Sequence, residues 1–415
     1  MTESTASKWQ PGERPEWVSA LNSLGKAAWV SLDEAELLEE AQRNTGLRDF
    51  GDDAFRQPLR IFLDSLEREA QLNLIGRVLA RSDVLNLLEN RLRMWETRRL
   101  HPEIDDELIQ RPIFITGLPR TGTSILHEVL GCDPGNRVPR TWEVRHPCPP
   151  PESATYETDP RIERAQREIG FWSEVVPEYG SMHELGANIP VECILLTQHE
   201  FVSDQLCGAQ QVPSYAGWLA QADQRPAYRY HKRMLQHLQW KAPGERWVLK
   251  APSHLGQLEA LLSVYPDARI VQTHRDPLKV MASAMSILFA TAWVRSDEID
   301  AEAMLGWFSG ENCCYLLDGA SALRDNGTLS ASNLYDMRYS DFIKEPFEVI
   351  PALYQHFELP FNSEAEARMR AYLDAKPKGA RGAHHYSFAD TGFDLQSERA
   401  RFAPYQERYG VPSEV

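Results

Sequence analysis

A short loop bounded by Gly117 and Gly122 carries the residues best suited to chemistry. In or directly after this loop the chain places one cation and three hydroxyl groups, at Arg120, Thr121, Thr123 and Ser124. Four apolar or β-branched residues precede the loop and a helical pattern follows it, so backbone N–H groups and a positive helix end would face the same point. This combination predicts a site for a phosphate or sulfate group.

The glycine spacing is that of a Walker A loop with one exchange, because Thr123 stands where the lysine belongs. That lysine reaches the β- and γ-phosphates of a nucleoside triphosphate, and the hydroxyl after it holds Mg²⁺. Its loss makes ATP-dependent phosphoryl transfer hard to support, whereas Arg120 suits an anion that needs no metal. A strand-to-helix turn without any ligand is the alternative interpretation.

Two further cations also follow predicted strands. Lys250 comes after a short apolar strand at 247–249, and Arg275 comes after a second strand at 268–273. In a parallel βαβ arrangement ligands gather beyond the carboxyl ends of the strands, so we expect both cations to converge with Arg120. Arg275 and Ser283 are eight residues apart across a helix start and would suit a second phosphate; a surface arginine and a buried serine are the alternative.

The elements that must position these residues predict an α/β fold. Residues 1–110 have helical patterns, opening with a capping box of Ser31 and Glu34, and predict a helical region that covers the sheet. Residues 111–415 predict a parallel sheet flanked by helices, with an irregular proline-rich stretch and then helices in an insertion at about 137–245. Further predictions are a helix at 254–265 capped by Ser253, a helix at 299–324, a strand at 334–338 and a final helix at 394–409.

Composition limits the class of partner. The formal charge of −16 argues against a general nucleic-acid or anionic-membrane binder, so an anion must be held by a local cluster of cations. The longest strongly apolar stretch, at 287–294, is too short to cross a bilayer. The six cysteines show no metal-ligand spacing, and the N-terminus has no apolar signal core; we expect a cytoplasmic protein without a metal.

Together these blocks resemble the sulfotransferases that use 3′-phosphoadenosine 5′-phosphosulfate (PAPS), especially the bacterial branch with a PRTGT loop and a WVLK-x-P-x-H segment. The resemblance covers residues 111–410 and implies a P-loop NTPase-like fold, PAPS as donor and adenosine 3′,5′-bisphosphate as product. It assigns the 5′-phosphosulfate to the PRTGTS loop at 119–124 and the 3′-phosphate to Arg275 and Ser283. Tyr339 and Arg381 match further nucleotide-contact motifs of the family.

The implied reaction is metal-independent, in-line transfer of a sulfuryl group to a hydroxyl of a small, partly apolar acceptor, with charge stabilised by Arg120 and Lys250. The general base is left open between His254, which follows Lys250, His127, one turn after Thr123, and His384 in a glycine-rich basic loop. His183, Glu184 and Glu192, inside the insertion, are interpreted as structural polar groups. A P-loop phosphotransferase using ATP and a non-catalytic nucleotide-binding protein are the alternative functions.

Overall fold

The structure of the chain, a computed structural model, describes residues 12–376 and 386–415. Its first part is helical, as the sequence predicts, with α1 (Glu16–Asn22), α2 (Glu34–Thr45), α3 (Arg56–Arg68) and α4 (Leu74–Leu100). The predicted capping box of Ser31 and Glu34 is wrong. Asp33 caps α2 instead, because its carboxylate accepts a hydrogen bond from the Glu36 N–H at 3.0 Å and lies at the positive end of the helix.

A sheet of five parallel strands forms the centre of the fold. The strands are β1 (Ile113–Gly117), β2 (Asn136–Arg137), β3 (Arg246–Lys250), β4 (Arg269–His274) and β5 (Leu334–Arg338), in the spatial order β2-β3-β1-β4-β5. In the register of β1, Ile113 lies opposite Val248 on one side and Arg269 on the other. All of β1 is buried, because helices cover both faces of a parallel sheet, and this explains its unbroken apolar run.

Helices flank the sheet and build the insertion. Between β1 and β3 these are α5 (Thr123–Leu130), α6 (Thr141–Arg145), α7 (Arg161–Val175), α8 (Tyr179–Met182), α9 (Ile194–Thr197), α10 (Asp204–Gly208), α11 (Pro213–Leu219) and α12 (Arg225–Gln239). After β3 they are α13 (Leu258–Val264), α14 (Pro277–Trp293), α15 (Ala301–Leu305), α16 (Gly310–Asp325), α17 (Tyr339–Lys344), α18 (Pro346–His356), α19 (Ser363–Ala375) and α20 (Leu395–Tyr409). The proline-rich stretch, expected to be irregular, thus contains the short helix α6.

Two of the predicted helices have different boundaries. The expected helix at 254–265 is a 3₁₀ turn over Pro252–Gly256 followed by α13, which has no side-chain cap. The expected helix at 299–324 is divided into α15 and α16, because Ser309 caps α16 by accepting a hydrogen bond from the Asn312 N–H at 3.2 Å. A serine cap inside an apolar pattern stops one helix and starts the next.

The two faces of the sheet bury alternate residues of each strand. Phe114 and Leu249 lie in one core with residues of α12, α13 and α16. Ile115 and Val248 lie in the other core with residues of α5, α18 and α19. This alternation follows from the two-residue period of a strand, and it leaves the carboxyl ends of the strands uncovered by either core.

The N-terminal helices share a core with the insertion. The ring of Phe62 on α3 meets the ring of Tyr215 on α11 edge-on, with centroids 5.3 Å apart. Arg91 on α4 is fully buried and donates a hydrogen bond to the carboxylate of Glu200 at 2.5 Å. The N-terminal region therefore supports the insertion as well as the sheet. The domain boundary near residue 110 stays a prediction.

Candidate active site

The loop after β1 has a backbone that only glycine permits at its two ends. Gly117 and Gly122 have φ angles of +142° and +89°. A Cβ at Gly117 would lie 2.5 Å from the Thr273 carbonyl oxygen, and a Cβ at Gly122 would lie 2.7 Å from the Tyr339 ring. The glycines therefore let the loop turn tightly between β4 and α17 and bring α5 to the carboxyl end of β1.

The three predicted cations line one cavity at this end of the sheet. Arg120 enters it from the loop, Lys250 from the end of β3 and Arg275 from just after β4. Lys250 is 2% exposed; its Nζ lies 3.1 Å from the Ser124 Oγ and contacts the Glu192 carboxylate. Burial lowers the pKa of Arg120, because desolvation disfavours its charged form. Confined cations of this kind are strong ligands for an anion.

Arg275 and Ser283 lie on either side of Arg120. The Arg275 guanidinium donates to the Arg120 carbonyl oxygen at 2.9 Å and lies over the Tyr339 ring, 4.1 Å from its centroid. Ser283, 1% exposed near the start of α14, accepts a hydrogen bond from the Arg120 Nε at 3.1 Å. The predicted second anion site and the loop are therefore directly connected.

The remaining predicted binding residues differ in how they meet the cavity. Gly122, Thr123, Ser124 and Tyr339 line it. The hydroxyl of Thr121 is turned into the protein, where it donates to the Leu118 carbonyl at 2.6 Å and lies near a threonine of β4, so this side chain holds the loop in place. Arg381 lies outside the described residues.

The structure places neither His127 nor His254 at the cavity, and His384 lies outside the described residues. His127 lies on the face of α5 that packs against β3; it is 1% exposed, its Nε2 is 3.0 Å from the Val248 carbonyl oxygen, and burial lowers its pKa to about 3. His254 is carried by the 3₁₀ turn into the core, where its Nδ1 lies 2.6 Å from the Tyr228 hydroxyl and its ring meets Phe114 edge-on. Burial holds the pKa of His254 well below its usual value.

Some polar residues of the insertion line the cavity, although the sequence analysis interpreted them as structural. Glu192 and His183 do so, and so does Asp204, which the sequence did not single out. Glu192 contacts Lys250, while burial lowers the pKa of His183 to about 4 and keeps its ring neutral. The available signal was a lone carboxylate at Glu192 within the apolar run at 189–196.

Away from the loop the cavity, about 530 Å³ in volume, has mainly apolar walls. Side chains from α7, α8, α9 and α14 and from the segments before α9 form these walls, among them Ile169, Trp172, Tyr179, Met182, Leu185, Val191, Leu195 and Ile287. The cavity thus joins a cationic end at the sheet to an apolar end in the insertion. Such a division suits a ligand pair of which one is an anion and the other a partly apolar molecule.

Within the described ranges, no group of three or more histidine, cysteine, aspartate or glutamate side chains is arranged to hold a metal ion. None of the helices described above is both long and apolar enough to cross a bilayer. The positive charge that is present at the site comes from arginine and lysine side chains.

A protein-family model described as the sulfotransferase family matches residues 112–363, which contain the loop, all three cations and the insertion. The chain belongs to the sulfotransferase family. The match excludes α1 to α4, nearly all of α19, and α20, whose roles the family model does not address.

Solved structures of two mycobacterial sulfotransferases are similar to this sulfotransferase over most of its length. STF1 from Mycobacterium tuberculosis is 33% identical, with a TM-score of 0.78 over 90% of this chain and 99% of that chain. STF9 from Mycobacterium avium is 29% identical, with a TM-score of 0.82 over 92% of this chain and 98% of that chain. Both similarities cover a larger share of the chain than the family-matched segment does.

A curated relative is the omega-hydroxy-beta-dihydromenaquinone-9 sulfotransferase Stf3 of Mycobacterium bovis and Mycobacterium tuberculosis. It is 25% identical over 313 residues, which are 70% of this chain and 74% of that protein. The predicted membership of a sulfotransferase family and the predicted α/β fold with a parallel sheet are therefore confirmed. The chain is a transferase.

Proposed function

We propose that this sulfotransferase moves a sulfuryl group from PAPS to a hydroxyl of a small, partly apolar acceptor. The observation that carries the proposal is the convergence of Arg120, Lys250 and Arg275 on one cavity whose other end is apolar. Family membership supports sulfuryl transfer. A donor with separate 5′ and 3′ anions makes use of all three cations, which a single phosphate would not require.

The donor's two charged ends fit different residues of the site. The loop with Arg120, Thr123 and Ser124 would hold the 5′-phosphosulfate, because these residues line the cavity at the N-terminus of α5, where backbone N–H groups favour an anion. Arg275 would hold the 3′-phosphate. Ser283 would help to position that site indirectly, because it accepts a hydrogen bond from Arg120, whose carbonyl oxygen accepts one from Arg275. PAPS supplies the sulfuryl group and a phosphate leaving group.

Transfer forms a bond from the acceptor oxygen to sulfur and breaks the bond from sulfur to the bridging oxygen, whose electron pair stays on the phosphate. Lys250 and Arg120 are placed to neutralise the charge that grows on these oxygens. Since both side chains are already confined, little reorganisation accompanies that step. This supply of charge by the protein leads us to expect activity without a divalent metal.

We propose Glu192 as the general base, in place of the predicted histidines. Its carboxylate lines the cavity beside Lys250, so an acceptor hydroxyl directed at the sulfur would pass close to it. The proton would move from that hydroxyl to the carboxylate of Glu192. As it does so Lys250 loses its anionic partner and is available to the leaving oxygen, which couples the two halves of the reaction.

The acceptor is expected to be an alcohol with an apolar body. The walls supplied by Trp172, Met182 and Leu195 would bury such a body and stabilise it by roughly 25 cal/mol per Å² of apolar surface. The curated relative acts, by its name, on a hydroxylated dihydromenaquinone, which is a molecule of this general kind. A sugar would leave these walls without a matching surface.

The proposal is tested by incubating the full chain with radiolabelled PAPS and a panel of alkanols, phenols, sterols and sugars, with EDTA present. We expect label on the apolar alcohols and little on the sugars. Transfer that needs Mg²⁺ and ATP would instead favour the P-loop phosphotransferase. Tight binding of adenosine 3′,5′-bisphosphate with no transfer to any acceptor would favour a non-catalytic nucleotide-binding protein.

A further inference from the structure

An aspartate interrupts the apolar wall of the cavity. Asp204 is the first residue of α10, which packs against α9, α11 and α14. The other cavity-lining side chains from these neighbouring helices are uncharged, among them Ile194, Leu195, Ile287 and Thr291. A carboxylate in such a wall lowers the stability of the fold, since burying a charge without a partner is unfavourable. Its presence there therefore indicates a function.

Hydrogen bonds of neighbouring residues fix the position of Asp204. Ser203 caps α10 by accepting from the Gln205 N–H at 3.2 Å and donates its own hydroxyl to the Ile194 carbonyl at 2.7 Å. The hydroxyl of Tyr215 donates to the Phe201 carbonyl at 2.7 Å just before this turn. The start of α10, and with it the carboxylate, is therefore held rigidly against α9.

Within the described part of the chain, Asp204 forms no ion pair. Its side chain is hydrogen-bonded to Ser253, and the one charged side chain that acts on it is Glu192, which has the same sign. Burial raises the pKa of Asp204 to about 6. At neutral pH the group is therefore mostly ionised but poorly compensated by the protein alone.

We infer that Asp204 is a specificity-determining residue that accepts a hydrogen bond from a second donor group on the acceptor, either a hydroxyl or an ammonium. The inference rests on the proposed function of the cavity. Glu192 receives the reacting hydroxyl beside Lys250, while Asp204, at the start of α10, meets a polar group elsewhere on the same molecule. The preferred acceptor is thus an apolar alcohol with a second polar group, as in a diol or an amino alcohol.

The test compares matched acceptors with wild type, Asp204→Leu and Asp204→Asn. The acceptors are an alkanol, a series of diols of the same chain length with the second hydroxyl at increasing distance, and the corresponding amino alcohols. Asp223→Asn is the control, because Asp223 begins the turn before α12 and is half exposed. Binding of adenosine 3′,5′-bisphosphate by each variant checks that the site remains folded.

We expect wild type to prefer one diol or amino alcohol over the alkanol in kcat/KM, mainly through KM. Asp204→Leu should reduce that preference by at least about tenfold, because the second hydroxyl or ammonium of the bound alcohol is then buried without a hydrogen-bond partner. Asp204→Asn should retain the preference for the diol and lose the preference for the amino alcohol, since an amide accepts a hydrogen bond but carries no charge.

Two results would overturn the inference. An unchanged ratio between diol and alkanol in Asp204→Leu removes the recognition role. Loss of turnover with every acceptor in Asp204→Asn, with bisphosphate binding intact, assigns Asp204 to proton transfer instead. Absence of sulfuryl transfer by wild type to any of the alcohols would be a failure of the proposed function, and is distinguished from both.

Discussion

Arg275 donates from its Nε and Nη2 to the two carboxylate oxygens of Glu414, at 2.8 and 2.7 Å. Glu414 is itself held in place, because its N–H donates to the carboxylate of Asp276 at 2.6 Å and Arg399 pairs with the same carboxylate. Burial alone would lower the pKa of Arg275, but the hydrogen bond and charge of Glu414 raise it. The carboxylate of Glu414 thus occupies two N–H groups of Arg275, the residue to which we assign the 3′-phosphate.

Replacing Glu414 should strengthen binding of the nucleotide. In Glu414→Gln the guanidinium of Arg275 loses a competing charge, so adenosine 3′,5′-bisphosphate should bind more tightly by a few-fold, up to about tenfold. Calorimetry of the full chain measures the change. Glu407→Gln, at an exposed position on α20, should leave the affinity unaltered. Weaker binding in Glu414→Gln would mean that Glu414 orients Arg275 for the ligand and does not compete with it.

Arg275→Ala should act on binding more than on turnover. The substitution removes a charged, bidentate donor and its packing on Tyr339, and we expect the affinity for the bisphosphate to fall by roughly 10- to 100-fold. Arg275→Lys should recover part of the loss, because it keeps the charge without the planar fork. Calorimetry and kcat at saturating donor separate the two effects. A loss confined to kcat would contradict the assignment.

Lys250→Ala should instead reduce kcat. Removing one preorganised donor to a developing oxyanion typically costs about 10²- to 10³-fold, and we expect the same range for Arg120→Ala. Initial rates at saturating donor and acceptor measure this, with thermal unfolding as a check on folding. Lys241→Ala is the matched control, because that lysine is exposed and pairs with Glu152 at the surface. Near-normal kcat in Lys250→Ala would refute its role in charge stabilisation.

Glu192→Gln tests the general base. The amide fills the same space but takes up no proton, so kcat should fall by about 10²-fold or more while bisphosphate binding is retained. Glu184→Gln is a demanding control, since Glu184 also lines the cavity but pairs with Lys376. If Glu184→Gln lost turnover and Glu192→Gln kept it, the two carboxylates would have to exchange roles.

The raised pKa of Asp204, about 6 against an ordinary 3.8, predicts a pH-dependent effect on stability. Between these values the folded chain binds the proton more tightly than the unfolded chain, so this group lowers the free energy of unfolding as pH rises from 4 to 6. Asp204→Asn should therefore stabilise the protein by about 1–3 kcal/mol at pH 8 and by little near pH 4. Urea unfolding at both values measures this, and an equal effect at each would contradict the prediction.

The features that sequence predicted well depend on local patterns or on the geometry of parallel sheets. The apolar run of β1 and the two glycines define the loop without further information. The positions of Lys250 and Arg275 follow because the carboxyl ends of neighbouring parallel strands lie at one edge of the sheet. The same rule predicted that Arg120 and Lys250, which are 130 positions apart in the sequence, lie at one site.

The features that sequence missed depend on which side of an element meets the core. His127 lies one turn beyond Thr123 on the same helix, and at that turn α5 packs on β3. His254 follows Lys250 closely, yet a 3₁₀ turn directs it towards Tyr228. Glu192 lies between elements, where no period indicates direction, and only the packing of the insertion over the sheet places it beside Lys250.

The shared core of the N-terminal helices and the insertion decides how far this protein can be shortened. A fragment reduced to the family-matched segment would lose Arg91, the buried cation that pairs with Glu200, and would expose the apolar surface that packs against α3 and α4. The helices of the insertion would then lose their packing against the N-terminal helices. Trimming the chain to a minimal catalytic unit should therefore yield an aggregating polypeptide, although every residue assigned to sulfuryl transfer would still be present.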